Sequence, residues 1–127
     1  MENIINWLKG FPQWQDALYV DHLEHTPGSC GLFPQGVQVL GRKTDILGGE
    51  RLHLRSSYQL RRVTTPGMDN AQWLLQLQKW VLEQNRSGSA PSLGENTRWS
   101  VENGKLTPGK QPDTGIYTLE LMAQYWE

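Results

Sequence analysis

The stretch Thr65-Pro66-Gly67-Met68-Asp69, running into residues 71–85, constrains this chain more than any other. It reads as a strand that stops, turns on Pro-Gly and becomes the one long amphipathic helix in the sequence. Trp73, Leu74, Leu77, Trp80 and Val81 fall at i, i+1, i+4, i+7 and i+8 and make one helical face, which Ala71, Leu75 and Leu82 widen. Asp69 falls in the first turn, where a carboxylate complements the exposed N–H groups and the positive end of the helix dipole. Arg86 stands at the other end, followed by Ser87-Gly88-Ser89-Ala90-Pro91 as a stop signal. Two tryptophans on one face need a broad apolar partner, and a sheet built from strands on either side of the helix would supply it.

Residues 1–9 predict a short helix striped by Ile4, Ile5 and Leu8, with Trp7 on its flank, Gly10 at its end and Pro12 just beyond. Two turns are not stable alone, so this helix must dock, with Trp14 packing at the junction. Residues 16–23 read as a first strand, with Leu18 and Val20 on one face and Ala17 and Tyr19 on the other. Residues 24–36 read as a loop with turn signals at Pro27-Gly28 and Pro34-Gln35-Gly36, pinned down by Leu32 and Phe33. A short second strand is expected over residues 37–40, then a connection over 42–50 that closes on Gly48-Gly49.

Residues 51–64 alternate over the longest run. Leu52, Leu54, Tyr58 and Leu60 point one way; Arg51, His53, Arg55, Gln59 and Arg61 point the other, giving a half-buried antiparallel strand with a wet, basic outer face. After the long helix, residues 97–102 read as a strand, Asn103-Gly104 as a two-residue hairpin turn, residues 105–107 as the start of the return, 108–115 as a loop and 116–126 as the last strand. The order α-β-β-β-α-β-β predicts an α+β fold in one domain over residues 1–127: a largely antiparallel sheet with a short N-terminal helix and one long amphipathic helix packed on one face.

Composition narrows the functional classes. The 127 residues carry a formal net charge of −1, so the chain as a whole is not an electrostatic binder of nucleic acid or of an anionic membrane. One cysteine, Cys30, excludes an internal disulfide and a structural zinc site of several thiolates. No apolar run approaches the roughly 20 residues of a membrane helix, and no signal-peptide core is visible, which places the chain in the cytosol or in an assembly built there.

Sites for chemistry are sparse. Asp21, His22, Glu24 and His25 form an Asp-His-Leu-Glu-His run, but neither strand nor helix spacing collects three ligands, so a solvated strand end is the expectation. Cys30 sits between Ser29 and Gly31 with no local base, and reads as a bland thiol in a loop. The glycines make no phosphate-binding loop. Arg42, Lys43, Arg51, Arg55, Arg61 and Arg62 are six of the twelve basic residues, gathered in 21 positions. They are a candidate basic face for nucleic acid or an acidic partner, weighed against the ordinary polar face of a strand whose charges discourage edge pairing. The Trp73/Trp80 stripe is core. Trp126 shares its strand face with Thr118, Glu120 and Gln124, and marks either a local cover or a subunit contact.

The layout is similar to that of the small phage tail terminator and tail-completion proteins, often called minor capsid proteins. The matching elements are the short N-terminal helix around Ile4–Leu8, the strand ending near Asp21, the strand over residues 51–64, the Trp/Leu-rich helix and a closing pair ending in Tyr125-Trp126. Gly31-Leu32-Phe33-Pro34, Asp45-Ile46-Leu47-Gly48 and Tyr58-Gln59-Leu60-Arg61-Arg62 resemble segments of minor capsid proteins from prophages of Gram-positive bacteria. The resemblance implies a structural protein of the virion tail or neck, assembled in the host cytoplasm, with no catalytic residue, cofactor or metal. It implies a homo-oligomeric ring, commonly hexameric, that caps the tail tube, stops its polymerisation and joins the head. Its partners would be further copies of itself, the tail tube protein and head–tail connector proteins; DNA would only pass through the lumen, and no membrane would be involved.

A ring contact joins two different faces of one subunit. Exposed sheet edges and the hairpin around Gly48 and Gly49 are the expected donors, and the loop carrying Leu32 and Phe33 the expected receiver, with Trp126 as a further contact. Arg42, Lys43, Arg51, Arg55 and Arg61 form the candidate basic face. Two other classes compete: a small nucleic-acid-binding module using that face, and a small α+β enzyme or ligand-binding protein with His22, Glu24, His25 or Cys30 in a pocket.

Overall fold

A computed structural model describes residues 1–14 and 17–127. Its elements are α1 (Glu2–Leu8), β1 (Leu18–Val20), β2 (Cys30–Thr44), β3 (Glu50–Thr64), α2 (Asn70–Ser87), β4 (Glu95–Pro108) and β5 (Gly115–Trp126). The fold is α+β, in the expected element order. The five strands form one sheet in the order β1-β2-β3-β5-β4, antiparallel throughout except for the short parallel pair β1/β2.

The topology explains why α2 lies where it does. β3 and β4 both run antiparallel to β5, so they are parallel to each other with β5 inserted between them. Parallel strands cannot be joined by a tight turn; they need a crossover, and α2 is that crossover. Asp69 is the N-cap rather than a first-turn residue: its backbone is extended, and its Oδ1 accepts from Gln72 N–H at 3.0 Å. That satisfies one of the helix's orphan donors.

Both helices cover the same face of the sheet. Leu54, Leu60, Val101, Leu119, Leu121, Ala123 and Tyr125 from the strands meet Trp73, Leu77 and Val81 from α2, and Ile4, Ile5 and Leu8 from α1. Trp7 joins the layers: it stacks on Trp80 with centroids 5.3 Å apart, contacts Trp99 at 5.0 Å, and donates its indole N–H to Gln84 at 3.0 Å. Trp14 packs on Trp73 at 5.7 Å, at the junction expected for it. Aromatic pairs at these separations add to the burial of their area.

Several local expectations are corrected. Residues 30–44 are one strand, not a loop followed by a short strand; Pro34-Gln35-Gly36 is a bulge within β2 rather than a turn, and a second irregularity falls between Val39 and Gly41. β3 presents an unbroken partner, so β2 keeps pairing around its misfit residues. Asn103-Gly104 is likewise not a hairpin turn. β4 runs through it as a bulge, with Asn103 at φ 61°, and the chain reverses later, over residues 109–114. A Cβ at residue 104 would run into the Tyr117 hydroxyl and lie 3.1 Å from Leu74, so the glycine there serves close packing. Asp16, the first residue of the expected opening strand, lies outside the described residues; the strand itself is only Leu18–Val20. Cys30 opens β2 and is buried. Ala71, Leu75 and Leu82 do not widen the core face of α2; all three are exposed.

Candidate functional site: the arm, the sheet edges and the uncovered face

With α1 and α2 on one side, the other side of the sheet is open. Strand register decides what stands there. Lys43 pairs with Arg51, Gln38 with Arg55 and then Gln124 and Arg98, and Arg61 with Thr118 and then Lys105. Directly paired residues share a face, so Lys43, Arg51, Arg55, Arg61, Arg98 and Lys105 stand together, with Glu95, Glu102 and Glu120 as the acids among them. Six cations against three anions make this face positive in a chain whose total charge is −1.

Of the candidate basic residues, Lys43, Arg51, Arg55 and Arg61 share this face. Arg42 does not: it is paired with Leu52 on the helix side and bonds Glu50 at 2.7 Å. Arg62 also faces the helices, its guanidinium 4.6 Å from the Trp73 ring centroid. Arg98 and Lys105 were not legible as members, because they come from β4 and join only through sheet register. A shallow depression of about 730 Å³ on this face is lined by Gln59, Arg61, Lys105, Thr118 and Glu120 among others.

Trp126 lies on the uncovered face and is covered locally. His53 stacks on it at 4.8 Å with an interplanar angle of 11°, Arg51 lies 5.5 Å from its centroid, and Arg51 in turn bonds Glu95 at 2.6 Å. Phe33 also lies on this face, beneath the Arg61 guanidinium at 4.4 Å. Leu32 points the opposite way and is wholly buried in the core. It cannot meet a neighbour while the fold is intact, so the expected receiver loop does not exist as such.

The hairpin around Gly48 and Gly49 is the most exposed apolar feature. β2 and β3 run on past the end of β5, which stops opposite His53, as an arm with Ile46 and Leu47 at its tip, 103% and 95% exposed; Val37, Val39 and Leu40 are exposed on the β2 edge behind it. The tip is built, not loose. Asp45 Oδ1 accepts from Leu47 N–H at 3.0 Å and Gly49 N–H at 2.7 Å, while the Asp45 N–H donates to the Gly49 carbonyl at 2.8 Å. Gly48, at φ 83°, supplies the left-handed residue the turn needs. The Gly48-Gly49 pair was the sequence signal for this turn; Ile46 and Leu47 were not singled out.

The two edges of the sheet differ. On β2, only residues 30–32 are flanked by β1; among the described residues no strand lies along residues 33–44 on that side. On β4 three outward backbone groups in the middle of the strand are taken by α2: Asn85 bonds both the N–H and the carbonyl of Trp99, and Gln78 donates to the Val101 carbonyl at 2.8 Å. Leu75 and Leu82 stand exposed beside this sealed edge, over a groove that also includes Val81 and Val101. A second apolar cleft lies at the far end of the sheet from the arm, lined by Pro66, Met68, Leu106 and Pro108 and rimmed by Thr65, Asn70, Asp113 and Thr114.

His22 and Glu24 make an exposed pair at 2.8 Å, Cys30 is buried with its Sγ 3.4 Å from the Gly28 carbonyl, and among the described residues no three His, Cys, Asp or Glu side chains are grouped for a metal. Burial pushes the Tyr58 phenol above its usual value near 10, with a hydrogen bond from Ser56 opposing and neighbouring Tyr125 adding to the rise.

The chain is thus an α+β protein with one covered sheet face, one open charged face and a preformed apolar arm. The sequence matches no family model and no curated protein.

Proposed function

We propose that this protein is a structural subunit of a phage virion, a tail-terminator or minor-capsid-type protein that associates with its own copies, as a hexameric ring, at the head-proximal end of the tail tube. Such a ring stops tail polymerisation and joins the head through connector proteins, without catalysis or cofactor. One observation carries the reading: exposed aliphatic side chains stand in separate groups on unlike parts of the molecule, Val37, Val39, Ile46 and Leu47 on β2 and its turn, Leu75 and Leu82 beside β4, and Leu106 in the cleft at the far end of the sheet. Two unlike surfaces on one subunit are what a head-to-tail contact requires. Exposed aliphatic side chains in such groups favour a protein interface over a free surface. The element order and the quoted segments supply the phage assignment.

The test is mass in solution across concentration, by light scattering after size exclusion, followed by negative-stain imaging of any large species. The expected result is a discrete ring with a central hole about as wide as a tail tube. Open filaments or irregular aggregates as the sole large species would count against a terminator.

A second reading is favoured by the uncovered face, where six cations meet three anions. It makes the chain a nucleic-acid-binding module. It requires affinity for duplex DNA that falls steeply with salt, and an Arg55→Ala, Arg61→Ala variant that loses it. A ring subunit past which DNA only slides would bind weakly and with little change in that variant.

A further inference from the structure

We propose that the open edge of β2 pairs with the same edge of a second copy, antiparallel about a two-fold axis at Gly41, and joins the two sheets into one. The contact goes beyond the ring reading, because it uses one surface twice and closes on two copies.

The direction of the backbone groups carries it. Leu52 exchanges two backbone bonds with Glu127: its N–H donates at 3.1 Å and its carbonyl accepts at 2.9 Å, so both groups turn toward β5. Backbone groups alternate sides along a strand, so those of Leu54 and Ser56 turn the same way. The residues of β2 opposite these three are Arg42, Val39 and Val37, whose own groups therefore aim away from β3. At the arm end the Asp45 N–H bonds the Gly49 carbonyl, so Thr44, one residue earlier, also aims outward. Toward β1 the outward groups are already used: Asp21 N–H takes the Leu32 carbonyl at 2.9 Å, and Gln35 donates to the Pro34 carbonyl at 3.4 Å. Val37, Val39, Arg42 and Thr44 are exposed and present donors and acceptors to solvent. That pattern takes an extended strand.

These four residues match one another without remainder. Leu40 is the extra residue of the irregularity between Val39 and Gly41, so the outward groups are spaced evenly about Gly41. Val39 then falls opposite Arg42 of the second copy and Val37 opposite its Thr44, and each such pair exchanges two backbone bonds. On the open face Gln38 meets Lys43, so no like charges stand directly opposed. Val37 and Val39, 62% and 46% exposed, gain cover from the aliphatic parts of Thr44 and Arg42. A Cβ at Gly41 would meet nothing within 4 Å, so the axis is open to a neighbour. In this register the arm tip reaches only as far as Pro34 and clears β1, which lies beside residues 30–32. The occupant is a second copy because the edge is its own complement. The other edges offer no such run: β1 has three residues, and the middle of β4 is taken by Asn85 and Gln78.

The experiment is oxidative cross-linking of full-chain cysteine variants. Residues directly opposed between the bonded pairs have Cα atoms about 4.5 Å apart, within disulfide reach. Gly41→Cys should form a linked dimer by itself, on the order of 10-fold faster than Gln38→Cys or Lys43→Cys alone, whose copies lie four positions or roughly 13 Å apart along the strand. An equal mixture of Gln38→Cys and Lys43→Cys should link as fast as Gly41→Cys. Cys30 is buried and common to all variants. In sedimentation, Val39→Pro removes an N–H that β3 does not use, so the unfolding midpoint should hold while the dimer weakens by on the order of 100-fold. If Val39→Pro does not fold, the cross-linking decides alone. Fast linking of Gln38→Cys by itself, or equally slow linking of every variant and of the mixture, overturns the pairing. Rings that form without the Gly41→Cys link overturn it too, and leave the assembly reading standing.

Discussion

Asn85 holds both backbone groups of Trp99: its Nδ2 donates to the Trp99 carbonyl at 2.7 Å, and its Oδ1 accepts from the Trp99 N–H at 2.9 Å. A single helical amide thus takes the place of a neighbouring strand. With Gln78 on the Val101 carbonyl, it seals the middle of β4, while the edge of β2 beyond residue 32 stays open. Unpaired strand edges invite pairing with other chains, so α2 decides which edge of this sheet is available.

The Asn85→Leu variant loses both bonds and leaves two partly buried backbone groups without them. The expected cost is about 2 kcal/mol, read from urea unfolding. The variant should also aggregate faster than wild type at equal concentration, because the β4 edge is now open. Asn85→Asp keeps the acceptor for Trp99 N–H but sets a carboxylate against the Trp99 carbonyl, and should be destabilised with less aggregation.

Asp45 organises the arm tip through two backbone donors, at Leu47 and Gly49. Asp45→Ala should leave global stability within about 1 kcal/mol of wild type, since the loop is exposed. Amide hydrogen exchange at Leu47 and Gly49 should accelerate, and self-association should weaken although Ile46 and Leu47 are still present. Asp45→Asn keeps an acceptor oxygen and should recover most of the protection. Unchanged exchange in Asp45→Ala would mean that the glycines alone set the turn.

Tyr58 makes stability depend on pH at the alkaline end. Its phenol is raised chiefly by burial, so above pH 10 the unfolded chain releases this proton before the folded one does. The folded state then binds more protons than the unfolded state, and stability falls as pH rises from about 10 toward the folded value; below that range Tyr58 adds no slope. Tyr58→Phe should flatten the alkaline limb of a stability–pH curve measured by urea unfolding. An identical limb in wild type and variant would assign the loss to other groups.

The fold was legible wherever one segment controls its own surroundings. The core face of α2 followed from the spacing of Trp73, Leu77 and Val81, and the inward face of β3 from Leu52, Leu54, Tyr58 and Leu60, because helix and strand periods are local properties. β2 was not legible. Pro34 and Gly36 read as turn residues, and only an unbroken β3 beside them keeps residues 30–44 extended. Asn103-Gly104 carries a hairpin signal, but its glycine meets Tyr117 and Leu74 in the packed sheet, which makes it a bulge. The same limit applies to the surfaces. Arg51, Arg55 and Arg61 alternate within one strand and could be grouped in advance, whereas Arg98 and Lys105 reach them only through β5.

The sequence by itself determined the α+β class, the order of the seven elements, the core-facing side of α2 and β3 and the place of the Gly48-Gly49 turn. These depend on periodicity, capping and turn chemistry over a few residues. Only the tertiary structure decided that Leu32 is core and Phe33 surface, that Arg42 leaves the basic face, that α2 seals β4 while β2 stays open, and that an apolar cleft lies at the opposite end of β3 from the arm. Each of these rests on which strands become neighbours and in what register, and that is fixed by packing between segments distant in the chain.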